Sequence, residues 1–288
     1  MDEVIFSQYL QKRGFSEAVI DQHIQAVSAF EEFMRELLPP FELDEATQPV
    51  TQNYVDFLIT SGSNSFENLV ALARYGYAIH HENLIVSILE LLDYAEAYEN
   101  LVLRVGEILG EEVKDHIFAD LPTPPLGLSN QEKAHLMRTS MQRLENYQNH
   151  QNYAKLFTTS FRDLADEYYL EDKEKYQQLD HIDQYLEHKR ECFIKELESC
   201  RETGRLFFSQ PIDQSVIDFV RADPEIETGI RQGNMLYVSK IPYMAKDYLE
   251  ATDTRLKRYF ACHCPWARES ILQDEGPVSA EFCKCSAG

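Results

Sequence analysis

Pro122, Pro124 and Pro125 limit the folding of this chain more than any other feature. Proline lacks a backbone N–H and clashes with the preceding turn, so no helix can run through "LPTPPLGLSN" (121–130). Ser129 with Glu132 then has the pattern of a capping box, which starts a new helix. On both sides of this break, apolar residues recur at helical spacing. A boundary is therefore expected near residue 125. It would divide an acidic helical bundle over 1–122 from a helical plus small α+β domain over 128–288.

Upstream, Ser16 can N-cap a helix that carries Val19, Ile20, Ile24, Val27, Phe30, Phe33 and Met34 on one face, and Pro39-Pro40 ends it. Further helices are predicted over 51–60, ended by Ser61-Gly62, over 65–80, and over 83–109, closing at Gly110. Downstream, 130–203 also reads as helix, with Ile182, Leu186, Phe193 and Leu197 in register and Gly204 suited to a left-handed C-terminus. The texture then changes. "RLFFSQP" and "NMLYVSKIP" read as short strands, separated by a helix near 213–222 and the turn "DPEIETG", with a further turn at Gly233-Asn234. The predicted fold class is mostly α: an N-terminal helical bundle, a long helical middle and a small α+β C-terminal segment.

Charge narrows the partners. The chain carries a formal charge of −22, and residues 1–120 hold six Lys and Arg against 22 Asp and Glu. Such a surface repels polyanions, which argues against nucleic acid. "MDEVIFSQYL" lacks the basic-then-apolar pattern of a signal peptide, and "NLIVSILELL" is about half the length that crosses a bilayer. A cytoplasmic protein with no membrane partner is expected, its cysteines serving as thiols or metal ligands rather than disulfides.

Four of the six cysteines fall in two Cys-x-Cys pairs near the end, Cys262/Cys264 and Cys283/Cys285, with His263 inside the first. Four thiols and an imidazole this close can close a tetrahedral zinc site. In an extended strand, residues i and i+2 lie about 6.6 Å apart. Sulfurs on one zinc must approach within about 3.8 Å. Each pair can therefore share an ion only where the backbone turns, as Pro265 and Ser286-Ala287-Gly288 permit. Cys264 has a second reading. Pro265 suits the first position of a helix continuing through "WARESILQ", which makes Cys264 its N-cap. A thiol at a helix N-terminus has a lowered pKa, with His263 and Arg268 in support, and serves as ligand or nucleophile. The bland reading is that these cysteines are small buried hydrophobes. His188 and Cys192, four apart on the long helix, can chelate, but a partly buried helix face is the better explanation of the pair. The leading expectation is a zinc-binding protein that recognises a small molecule or a protein partner. Four cysteines on one ion leave no open coordination position, whereas three ligands leave one for a metal-bound water.

Two stretches resemble known families. In "FSQYLQKRGFSEAVIDQHIQAVSAFEEFM", the residues Tyr9, Leu10, Arg13, Gly14, Ser16, Phe30 and Phe33 fit Tyr-Leu-x-x-Arg-Gly-x-Ser followed by Phe-x-x-Phe. This part resembles the core-binding domain of tyrosine recombinases, and "NSFENLVALARYGYAIHHENL" is similar to its closing helix. The resemblance implies a DNA-binding module. The acidity of the segment opposes that function, and no Arg/His/Arg/Tyr constellation follows residue 125. At the other end, Cys264, Pro265, Trp266, Ala267, Phe282, Cys283 and Cys285 resemble the cysteine region of L-2-amino-thiazoline-4-carboxylic acid hydrolase-like proteins, which are similar to vinyl-4-reductase-type small-molecule-binding domains. That resemblance implies a hydrolase of a small amide-like or thiazoline-like substrate, using Cys264 or a metal-bound water. The family's later Gly-Asp-x-x-Cys strand is not reached by Gly288, which implies a longer native chain.

Overall fold

The computed structural model describes residues 1–147, 150–157, 166–179 and 181–286. These residues are mostly helical, and among them the paired strands are confined to one two-stranded sheet. The chain divides into two compact units. One comprises Met1–Thr158 with Cys264–Ser270 and Pro277–Cys283. The other comprises Thr159–His263 with Ile271–Gly276 and Lys284–Gly288. No helix among the described residues is long and apolar enough to cross a membrane.

The first unit contains α1 (Glu3–Lys12), α2 (Glu17–Glu36), α3 (Gln48–Ser61), α4 (Phe66–Ile79), α5 (Glu82–Leu92), α6 (Ala97–Leu109), α7 (Glu111–Phe118), α8 (Asn130–Asn146) and the short α9 (His150–Tyr153). Side chains satisfy the orphan N–H groups at several helix starts. Asp2 accepts from the Ile5 N–H at 3.0 Å, Ser65 from Asn68 at 3.1 Å, and Ser129 from Glu132 at 3.2 Å. Gly62 ends α3 at φ 69°, a left-handed geometry that glycine adopts without strain. The core is an apolar cluster that includes Phe6, Leu10, Val27, Phe30, Met34, Leu69, Leu72, Leu84 and Ile88, all fully buried. Burying each such side chain contributes about 1.5–3 kcal/mol. The predicted face of α2 supplies Ile20, Val27, Phe30 and Met34, and also His23. Arg74 donates to the His23 ring at 2.5 Å. Burial pushes the imidazole below its ordinary pKa, and the Arg74 guanidinium pushes it further.

The single helix predicted over 83–109 is two helices. α5 ends at Leu92 and α6 begins at Ala97, and Tyr94 between them takes a left-handed φ of 53°. No proline or glycine marks this break, so periodicity alone reads through it. Buried side chains from distant parts of the first unit bond carbonyls just before it and within it.

The second unit contains α10 (Leu170–Gln177), α11 (Ile182–Thr203), α12 (Gln214–Ala222), β1 (Ile230–Gln232), β2 (Met235–Tyr237), α13 (Ala245–Glu250) and α14 (Thr254–Ala261). Gly204 closes α11 at φ 69°, as its position predicts. Asp213 caps α12 through the Val216 N–H at 3.1 Å. Leu197, Cys200, Ile212, Val216, Ile217, Val220, Ile226, Ile241 and Ala245 form the core. Within it, buried Gln210 donates to the Pro242 carbonyl at 2.9 Å and accepts from the Ala245 N–H at 2.7 Å. "RLFFSQP" is not a strand. Phe207 and Gln210 exchange backbone hydrogen bonds of 3.0 and 3.1 Å around a tight turn, with Phe208 at a left-handed φ of 52°. The second predicted strand does form. β2 pairs antiparallel with β1 across the Gly233-Asn234 turn.

Candidate functional site

The site is centred on the break between α5 and α6. The Lys133 ammonium on α8 reaches two carbonyls in the last turn of α5, where helix geometry leaves acceptors to be satisfied from outside. Its Nζ donates to the Leu91 carbonyl at 3.0 Å, the Glu90 carbonyl at 3.4 Å and Asn130 Oδ1 at 3.4 Å. A cation at a helix C-terminus meets the negative end of the helix dipole. This compensates for burying an ammonium that is only 2% exposed. Burial still pushes Lys133 down to about 8. The charges of Asp93, Glu90 and Cys264 act to raise it, and Arg268 acts to lower it.

The segment "CPWAR" completes the junction. Trp266 is 1% exposed, and its indole N–H donates to the Tyr94 carbonyl at 2.7 Å. Its ring stacks on Tyr98 at 5.6 Å, and the Lys133 ammonium lies 5.9 Å from the ring centroid. Ser140 donates to the Tyr98 hydroxyl at 3.2 Å. Arg268 donates to one oxygen of the buried Glu90 carboxylate at 2.9 Å, and Gln48 donates to the other at 2.9 Å. Both carboxylate oxygens therefore have donors, the condition under which a buried ion pair is tolerated.

The predicted α-helix over "WARESILQ" does not form. Residues 265–267 make a turn, and Arg268–Leu272 is a short 3-10 helix. Two anchors compete with an α-helix here. Trp266 and Arg268 are tied to Tyr94 and Glu90, and the Ser270 hydroxyl accepts from the Val278 N–H at 2.8 Å, which folds the following chain back. The Cys264 carbonyl does accept from Ala267 at 3.1 Å and Arg268 at 2.8 Å, so Cys264 caps this turn. With no α-helix behind it, the helix dipole cannot activate the thiol.

The predicted metal ligands are distributed as follows. Cys264 and Cys283 belong to the first unit, Cys262 and His263 to the second. Cys264 and Cys262 are half-buried and Cys283 is exposed. Cys283 and Cys285 lie on the 3-10 helix Phe282–Ser286, and the Cys285 side chain falls outside the described residues. Cys262 is the C-cap of α14, directly after Ala261. The His263 ring is held by its own unit. Nε2 donates to the Ile241 carbonyl at 2.6 Å, and Tyr243 packs edge-on at 5.4 Å. Among the described residues, no group of three or more His, Cys, Asp or Glu side chains stands together as a metal site. On α11, Cys192 is exposed with His188 Nε2 3.6 Å from its sulfur, and Cys200 is buried in the core.

Sequence reasoning reaches Cys264, Trp266 and Arg268 but not their buried partners Glu90 and Lys133. Two signals could have found them. Glu90 is the one ionisable residue within "LIVSILELL", and Lys133 shares the buried face of α8 with Met137, Ser140 and Leu144. A charge in an apolar stripe needs a buried partner. No family model, curated protein or solved structure matches this chain.

Proposed function

We propose that this protein acts through the Cys264 thiol on a small molecule or a protein partner, in a cytoplasmic setting that keeps the thiol reduced. One observation carries the reading. Cys264 is half-buried, and its carbonyl caps the turn that sets Trp266 beside the Lys133 ammonium and Arg268 against Glu90. A cation beside a thiol favours the thiolate, which is the nucleophile. The resemblance of Cys264-Pro265-Trp266-Ala267 to small-molecule hydrolases supports an amide-like or thiazoline-like substrate. Alkylation by iodoacetamide, mapped by mass spectrometry at pH 7, tests this. Cys264 is expected to react faster than the exposed Cys192, and Lys133→Met is expected to slow Cys264 alone. Equal rates, or no effect of Lys133→Met, would overturn the reading.

A zinc site at Cys262, Cys264, Cys283 and Cys285, with His263, is the second reading, supported by the two Cys-x-Cys pairs. His263 would enter through Nδ1, because Nε2 is bonded to Ile241. Metal analysis of the purified protein separates the two. Stoichiometric zinc, lost in Cys283→Ser and shielding Cys264 from alkylation, favours the metal. A metal-free protein with a fast-reacting Cys264 favours the nucleophile.

A further inference from the structure

Hairpin β1–β2 places large apolar side chains in solvent. Met235 is 60% exposed, Leu236 46%, Tyr237 44% and Val238 53%. Four consecutive exposed hydrophobes, three on β2 and Val238 directly after it, depart from the scattered exposure that needs no explanation. Their backbone matters equally. The turn has two residues, and the register pairs Gln232 with Met235, Arg231 with Leu236, and Ile230 with Tyr237. In an antiparallel pair, hydrogen-bonded and non-hydrogen-bonded partners alternate, so the Leu236 N–H and C=O point away from β1. Among the described residues the sheet has only these two strands, so β2 presents an open edge there. Proteins ordinarily blunt such an edge with a charge, a proline, a bulge or a very short strand; Met235–Tyr237 is short but carries no charge, proline or bulge.

The charge of this region indicates what would cover it. Residues 230–246 contain Arg231, Lys240 and Lys246, all exposed, and no Asp or Glu, in a chain of formal charge −22. The acid at the hairpin base, Glu227, accepts from the Ile241 N–H at 2.8 Å. Gly229 makes the arrangement possible. A Cβ there would lie 2.6 Å from Val238 Cγ2 and 3.1 Å from Leu236 Cδ1, so these side chains lie across bare backbone. The hairpin tip is polar, Gly233-Asn234 beside Gln232, which suits lateral docking better than insertion into a lipid surface.

We propose that β2 is a docking edge for an extended, acidic segment of a protein partner, added as a third strand. Main-chain hydrogen bonds at Leu236 would supply register, and the Arg231 and Lys240 charges would select an acidic strand. This inference is independent of the Cys264 reading.

The test titrates the full chain into fluorescein-labelled peptides of alternating valine and glutamate, and of alternating valine and lysine, read by anisotropy. The glutamate peptide is expected to bind, more weakly as salt rises, and the lysine peptide not to bind. Leu236→Pro removes the outward N–H while sparing the β1 ladder, and is expected to weaken binding about tenfold or more. Leu236→Glu, which keeps the backbone intact but sets a charge of the peptide's own sign on the edge, is expected to act in the same direction, with circular dichroism confirming both folds. Absence of glutamate-peptide binding, equal binding of the two peptides, or binding indifferent to both variants would overturn the proposal. So would dimerisation of the chain, or adsorption to phosphatidylserine vesicles, that the Leu236 variants abolish.

Discussion

The junction between α5 and α6 and the β1–β2 hairpin depart from the ordinary division of residues in opposite ways. The first buries charge: Glu90, Lys133 and Arg268 are each less than a tenth exposed. The second exposes apolar surface at Met235, Leu236, Tyr237 and Val238. A buried ion or an exposed apolar patch is informative because each costs free energy unless something compensates. In the junction the compensation is present: two donors on Glu90, three acceptors around Lys133, and a carbonyl for the Trp266 indole. On the hairpin it would have to come from a partner. The difference separates a polar cluster that holds the fold together from an apolar edge that the fold does not need.

That distinction can be broken by mutation. Arg268→Ala removes the guanidinium bonded to the buried Glu90 carboxylate, and is expected to lower the unfolding free energy by about 3–5 kcal/mol in urea titration. A loss below about 1 kcal/mol would place the pair among weak surface bridges instead. Trp266→Phe keeps most of the ring but removes the donor to Tyr94, with an expected cost of about 1–3 kcal/mol. Lys133→Met sharpens the electrostatic side. The folded value of Lys133, about 8, lies below its ordinary 10.5. Between those values the unfolded chain holds a proton that the folded chain has lost, so this group's contribution to stability rises with pH across that window. The rise, about 1–3 kcal/mol, is expected to vanish in Lys133→Met when wild type and variant are unfolded at pH 8 and pH 10.

The hairpin is expected to respond less. Gly229→Ala places a Cβ 2.6 Å from Val238 and 2.8 Å from the Tyr237 carbonyl, at a φ of 82°. A cost of about 1–2 kcal/mol is expected. Faster amide exchange should be confined to residues 226–240. Leu236→Lys is expected to change global stability by less than about 0.5 kcal/mol, since it replaces an exposed side chain. A larger loss in the melting temperature would mean that the hairpin is part of the core after all.

Local signals account for the elements that could be read in advance. Gly62 and Gly204 take the left-handed conformation that ends α3 and α11, Ser129 caps α8, and Gly233-Asn234 turns the hairpin. Each works through its own few neighbours, so the residue type suffices. The stretch "RLFFSQP" misled because a strand needs a neighbour, and Phe207 pairs only with Gln210 across a turn. The helix predicted over "WARESILQ" misled because Trp266 and Arg268 bond to residues more than 170 positions away.

The sequence by itself therefore determined the mostly helical class, the positions of several helix ends and the presence of the cysteine pairs. Only the tertiary structure decided that α5 and α6 are separate, that Lys133 and Trp266 bond the carbonyls at that break, and that Arg268 faces Glu90. The physical reason is range. Caps and turns are settled within about four residues of chain. A buried charge is settled by whichever distant partner the fold delivers, and no periodicity records that partner.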